Sequence, residues 1–307
     1  MSRAIPIESL DDPRVAGYRN IRDRDLRGRD RLFVVESAKV VERLLFSPFA
    51  VVSLLLAPER ERQLAAALDR LPAETPVYVA ETGVVHAISG YHVHGGALAL
   101  AKRPRSKALR TNDALEAAMQ RPRATLLACA GVTHMDNMGG IFRAAAGFGA
   151  DGVLLDRRCC DPLLRKAVRV AMGHVLTVPF AVTGDLPETL RRLRSVHGAV
   201  VVALETNEHP HVAGRAMPLT GLGTANPERL VLVVGSEGHG LDAEVLRAAD
   251  EIREIPMRRE VPSLNVAMAA TIALYERARS ADTCLASPAD RGVMPAPPGP
   301  PPAPCWD

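Results

Sequence analysis

Apolar positions along this chain alternate between two rhythms. Short unbroken runs at 32–35, 51–56, 77–79 and 97–101 predict strands, while the spacing over 37–46 and after Pro58 predicts helices between them. Asp12 followed by Pro13 reads as the cap and first turn of a helix reaching about residue 26. The alternation restarts near Ala124, with strands at 125–129, 152–155, 176–180, 199–203, 230–234 and 251–255. Helices are expected from Met138, from Pro162, and at 186–193, 242–248 and 264–280. Continuous β-branched runs separated by helices predict an α/β fold with a mainly parallel sheet covered on both faces. Ligands of such sheets sit at the carboxyl ends of the strands.

The pattern divides the chain. Residues 1–101 form a small α/β domain, 102–123 a linker, 124–281 a second α/β domain, and 282–307 a Pro-rich disordered tail with Pro288, Pro295, Pro297, Pro298 and a run at 300–302. The linker opens with Lys102, Arg103, Arg105, Lys107 and Arg110 and no acid before Asp113.

Composition narrows the classes. Across 307 residues, 47% hydrophobic and 24% charged is ordinary for a folded chain with buried cores. Net charge is only +3, so a polyanionic partner would require uneven placement of the basic residues, nearly all of which are Arg. The linker is such a place; the stretch 19–31, with six Arg and three Asp, reads equally well as a salt-bridged solvated helix. With 4% aromatic residues, base stacking is not the main means of recognition. The longest apolar stretch, 44–57, is broken by Ser47, Pro48 and Ser53 and is too short to span a bilayer. Glu8, Asp11 and Asp12 interrupt any signal-peptide pattern. Cys129, Cys159, Cys160, Cys284 and Cys305 contain no CxxC pair, and His86, His92 and His94 lack a further ligand at metal spacing. The chain reads as cytoplasmic, with reduced thiols and no metal.

Three segments carry candidate chemistry. The strand at 231–234 empties into Gly235-Ser-Glu-Gly-His-Gly240, where glycines let backbone amides approach a ligand; neither the Walker spacing nor a dinucleotide fingerprint is present, which argues against a nucleotide-dependent oxidoreductase. In Asp136-Asn-Met-Gly-Gly-Ile-Phe-Arg143, Asn137 or Asp136 is placed to cap a helix with a core stripe at Ile141, Ala145 and Phe148. Arg143 lies about 200° from Ile141 and points away from that core. In Ile255-Pro-Met257 with Ser263-Leu-Asn-Val266, Ser263 is placed to cap a helix buried along Leu264, Ala267, Met268, Thr271, Leu274 and Tyr275, with Asn265 interrupting its apolar start.

In this order the three segments resemble motifs 1, 2 and 3 of the SpoU family of RNA ribose 2′-O-methyltransferases, a branch of the SPOUT class: Asn137 to Arg143, Gly235 to Leu241, and Ile255 to Met257 with Ser263 to Val266. Phe33-Val-Val-Glu-Ser-Ala-Lys39 and Gly90-Tyr-His-Val-His-Gly-Gly96 resemble the small ribosomal-protein-like RNA-binding domain of rRNA-directed members. The resemblance implies a SPOUT domain with a deep trefoil knot, S-adenosylmethionine as cofactor, a homodimer, and RNA as substrate, with 23S rRNA favoured over tRNA. A non-catalytic RNA-binding or assembly protein of the same fold is the alternative. By the same resemblance Leu204, Gly235, Ser236, Glu237, Ile255, Met257 and Leu264 form the cofactor pocket, while Arg143, Asn137, Glu237, Ser263 and Asn265 shape the catalytic site. Arg143 would hold a phosphate and polarise the hydroxyl, since Arg stays protonated. Three positions depart from the family pattern: Ala144 and Ala171 replace hydroxyl residues, and Ser37 replaces a Gly.

Overall fold

The computed structural model describes residues 4–19, 31–89, 96–103, 113–220, 227–258, 260–261 and 263–279. The basic linker beyond 103 up to 112, the Arg-rich residues 20–30, His92, His94, Cys284, Cys305 and the tail lie outside these residues.

The chain forms two compact units. The first is built on β1 (Ala4–Pro6), β2 (Leu32–Glu36), β3 (Val51–Leu56), β4 (Val77–Val79) and β5 (Ala97–Lys102), with helices α1 (Ala38–Leu45), α2 (Pro58–Leu68) and α3 (Thr82–Ser89). Its sheet runs β1-β4-β3-β5-β2, parallel through β1, β4 and β3 and antiparallel through β3, β5 and β2. Every residue of Leu54–Leu56 and Ala97–Ala101 is buried, which is why these strands read as unbroken apolar runs. Where a helix to residue 26 was expected, a 3-10 helix covers Pro13–Tyr18, capped by the Asp12 carboxylate accepting from the Arg14 N–H.

Residues Leu163–Thr177 cluster with this unit, although their position in the sequence places them between strands of the second. Arg43 Nη1 donates to the Met172 carbonyl at 2.9 Å and Arg103 Nη2 to that of Leu163 at 3.1 Å. Gly173, at φ +79°, presses on Val40, where a Cβ would meet Cγ1 at 2.8 Å. The strand expected at 176–180 is therefore a 3-10 turn over His174–Leu176, with the strand displaced to Phe180–Val182.

The second unit opens with α4 (Asp113–Met119), a helix inside the stretch read as linker. Then come β6 (Ala124–Cys129), α5 (Met135–Gly147), β7 (Gly152–Leu155), β8 (Phe180–Val182), α6 (Leu186–His197), β9 (Val200–Leu204), β10 (Met217–Pro218), β11 (Arg229–Val234), α7 (Ala243–Ala248), β12 (Glu251–Glu254) and α8 (Val266–Arg279). Its seven strands, ordered β10-β12-β9-β11-β6-β7-β8, are all parallel. The chain moves outward from β6 to β8, then resumes at β9 on the other side and inserts β11 between β9 and β6. A parallel sheet whose strand order reverses leaves a crevice beyond its carboxyl edge.

α8 departs from its expected orientation. The buried side is Val266, Ala270, Ala273, Leu274 and Ala278, whereas Met268 and Tyr275, expected in the core, are 61% and 41% exposed. The helix is apolar on two sides, so periodicity alone selects neither.

Candidate active site

Leu204 ends β9, Gly235 follows β11 and Ile255 follows β12, so three neighbouring carboxyl ends supply one wall of a cavity of about 580 Å³. Ser236, Glu237, Met257, Ser263 and Leu264 also line it, which brings every residue assigned to the cofactor pocket into one place.

The loop 235–241 has its shape because of its glycines. Gly240, at φ +63°, donates its N–H to the Ser236 carbonyl at 3.0 Å and folds the loop back on itself. That return brings the Gly240 carbonyl carbon within 2.5 Å of where a Cβ on Gly235 would stand, so no side chain fits there.

Asn265 joins the pocket to the first helix. Its Nδ2 donates to Asn137 Oδ1 and to Glu237 Oε1, each at 2.8 Å, while its Oδ1 accepts the N–H groups of Ala267 at 3.0 Å and Met268 at 3.4 Å. Asn265, and not Ser263, is thus the cap of α8. Asn137 is buried inside α5, which begins at Met135 after His134, so neither Asn137 nor Asp136 caps it. Gly140, one turn further on, lets α5 approach α8: a Cβ there would meet that of Ala267 at 2.9 Å. Arg143 stands exposed on the next turn, beside this helix pair and apart from the pocket lining.

Several lining residues had no counterpart among the sequence motifs. Glu205 Oε2 accepts the Leu241 N–H at 2.9 Å and its Oε1 the Thr206 N–H at 3.0 Å, tying the end of β9 to the glycine loop. His209 accepts the His211 N–H at Nδ1 (3.3 Å), which puts its proton on Nε2, from where it donates to the His239 carbonyl at 3.1 Å. Asn207, outside the lining, clasps Glu254 and both backbone groups of Ala216, closing the loop 205–216. The readable signal for Glu205 was its place two positions beyond the predicted strand 199–203.

Beside the pocket, Asp156 accepts the N–H groups of Gly131, Arg158 and Cys159, each at 3.0 Å, and Arg158 reaches Asp242 at 2.7 Å. Burial pushes the Cys159 thiol up to about 12 and the Cys160 thiol up to about 11. Among the described residues no group of three His, Cys, Asp or Glu is placed to hold a metal, and no helix is long and apolar enough to cross a membrane.

An uncharacterized tRNA/rRNA methyltransferase of Mycobacterium bovis is 37% identical over 275 residues, covering 88% of this chain and 90% of the relative, and residues 124–275 match the SpoU rRNA Methylase family. The chain belongs to the SpoU family. Its fold is shared with an AdoMet-bound rRNA methyltransferase from Sinorhizobium meliloti (TM-score 0.73, 24% identity, covering 91% of this chain and 98% of the other). An RNA methyltransferase of the TrmH family from Porphyromonas gingivalis, so far known as putative, aligns with a TM-score of 0.70 at 24% identity over 89% of this chain and 99% of the other. The SpoU motifs are the segments that the sheet brings together: motif 2 is the glycine loop, motif 3 runs from Ile255 to the cap of α8, and motif 1 is the first part of α5.

Proposed function

We propose that this SpoU protein transfers a methyl group from S-adenosylmethionine to a ribose 2′-hydroxyl in RNA, with 23S rRNA as the substrate. The observation that carries the reading is Asn265, whose amide ties motif 1 to motif 2 at the edge of the cavity.

The pocket suits the cofactor. Leu204, Ile255 and Leu264 offer apolar walls for a flat adenine, Gly235 leaves room for close backbone approach, and Glu205 and Glu237 supply negative charge for a cationic ligand. When bound, S-adenosylmethionine supplies a methyl on a positively charged sulfur that departs as a neutral thioether. Asn137, Asn265 and Glu237 hold the ribose side of the pocket in one geometry, and Ser263 adds a hydroxyl on its rim. Holding the hydroxyl in line with the methyl is the main service such a site renders. Arg143, permanently protonated, grips the phosphate next to the target ribose and polarises the hydroxyl.

The reading includes a homodimer. Met268, Ile272 and Tyr275 form an exposed apolar stripe on α8, at i, i+4 and i+7, beside the helix that carries Arg143. In this reading a second copy covers the stripe and Arg143 acts across the interface. The family's trefoil knot belongs to the same reading. Preference for rRNA rests on the first unit, whose motifs resemble those of rRNA-directed members.

The test is methyl transfer from labelled S-adenosylmethionine to purified rRNA and tRNA, followed by mapping of 2′-O-methyl positions in rRNA with and without the gene. Label in rRNA at one ribose is expected; label in tRNA alone would move the substrate, and label in neither would leave a non-catalytic RNA-binding protein.

A further inference from the structure

A second cavity, of about 320 Å³, opens between the loop 205–216 and α7. Its walls carry three basic side chains, His211, Arg215 and Arg247, over a floor of Ala243 and Leu246. His211 also lines the larger cavity, so the two share a wall.

The Arg215 guanidinium is held in place. Nε donates to the Val212 carbonyl at 2.9 Å and Nη2 to that of His211, which pins two of its five N–H groups and leaves the rest of the fork available. The turn that makes this possible places Ala213 at φ +49° and Gly214 at φ +78°, so the backbone carbonyls of 211 and 212 face the side chain of 215. Arg247 has only a loose ion pair, with Glu244 at 3.9 Å, and both side chains are largely exposed. Two guanidinium side chains thus line one small cavity, an arrangement that favours an anion between them.

We propose that this cavity is a phosphate subsite for the RNA substrate: His211, Arg215 and Arg247 grip one backbone phosphate of the strand whose target ribose enters the neighbouring cavity. A fixed guanidinium fork matches two phosphate oxygens and loses little freedom on binding. Such a contact holds register and carries no base preference. The inference rests on the RNA-methyltransferase reading but concerns different residues from those given to the cofactor and the reaction.

The experiment measures RNA binding by the full-length protein and by an Arg215→Ala/Arg247→Ala double variant at several salt concentrations, with S-adenosylmethionine binding by calorimetry in parallel. The double variant is expected to bind rRNA fragments on the order of tenfold more weakly at 0.1 M salt. Its plot of log affinity against log salt should be shallower by about one, the mark of one lost phosphate contact. S-adenosylmethionine affinity is expected to stay within about twofold, because neither Arg lines the larger cavity. Arg215→Lys/Arg247→Lys, which keeps the charge, is expected to recover much of the affinity and the wild-type salt slope. Unchanged RNA affinity and slope in a folded double variant would overturn the subsite, as would an equal loss in the Lys variant and the Ala variant. Failure of the wild-type protein to bind RNA at all would instead overturn the underlying function.

Discussion

Asn265 reaches across 128 positions of sequence to donate its amide to Asn137 Oδ1 at 2.8 Å, and the same nitrogen donates to Glu237. Because its oxygen is fully engaged in capping α8, the amide has only one orientation that satisfies all four contacts. Asn265→Asp keeps the cap but turns two donations into repulsions against Asn137 Oδ1 and the Glu237 carboxylate. Asn265→Ala loses the cap as well, at about 1 kcal/mol. Both variants are expected to lose methyl transfer and to unfold at lower denaturant, the Ala variant through the missing cap and the Asp variant through the two repulsions. Full activity in Asn265→Asp would remove the residue from the site.

Two glycines of one loop make a matched pair. A methyl on Gly235 would collide with the Gly240 backbone, whereas nothing stands within 4 Å of a Cβ on Gly238. Gly235→Ala is therefore expected to weaken S-adenosylmethionine binding at least about tenfold and to cost about 1–3 kcal/mol of stability, the range for overpacking against atoms that cannot give way. Gly238→Ala should leave stability within experimental error, since its Cβ meets no protein atom. Denaturant titration of the two variants side by side checks this, and equal stability would contradict the loop geometry.

The parallel sheet was legible because strands buried on both faces must be apolar throughout, as Leu230 to Val234 is. The place of the pocket was legible through the glycine loop and the strand ends, while its residues were named by the resemblance to the SpoU motifs. Other features were hidden for physical reasons. α8 carries apolar residues on two sides, so Met268 and Tyr275 were indistinguishable from core until their neighbours were known. Glu205 and Asn207 act through backbone N–H groups of residues distant in sequence, a partnership that leaves no spacing to read. Residues 163–177 looked like one more helix and strand of the second domain. Only the contacts of Val40, Arg43 and Arg103 show where they pack.

Ser37 sits at φ +79°, ψ 145°, a region open to glycine and strained for any residue with a Cβ, at the position where the family pattern has Gly. Its side chain makes no capping bond to α1 in return. Ser37→Gly is expected to raise stability by about 1 kcal/mol, since relief of strain of this size outweighs the added entropy of the unfolded chain. Thermal or urea unfolding measures the change directly. A loss of stability would show that Ser37 earns its place through a contact of its hydroxyl.

Arg143 is exposed on α5 and lies outside the pocket lining, so its removal leaves the cofactor walls intact. Arg143→Ala is expected to abolish methyl transfer while S-adenosylmethionine binding stays within about twofold, because the lost charge–phosphate contact concerns the substrate alone. Equal loss of binding and transfer would sink the assigned role. Mixing the variant with a Gly235→Ala variant tests whether Arg143 acts across subunits: heterodimers would then pair one intact pocket with one intact Arg143 and regain part of the activity.

The cysteines set an alkaline limit on stability. Burial raises the thiols of Cys129, Cys159 and Cys160 above the ordinary value of 9.0, to about 12 for Cys159 and about 11 for Cys160, with the Asp156 carboxylate adding to the effect on Cys159. The folded chain therefore holds these protons more tightly than the unfolded chain. Their contribution to stability is complete below about pH 9, where the thiols are protonated in both states, and is lost as pH rises from there toward 11 and 12. The denaturant midpoint is accordingly expected to fall between pH 8 and pH 10.5, and to fall less in a Cys159→Ser/Cys160→Ser variant. At pH 8 the same thiols should react slowly with iodoacetamide in the folded protein and quickly in denaturant, because the thiolate is the nucleophile. Rapid alkylation of Cys159 in the folded state, located by mass spectrometry, would show that its surroundings are more open than the 3.3 Å hydrogen bond from its sulfur to the Cys129 carbonyl implies.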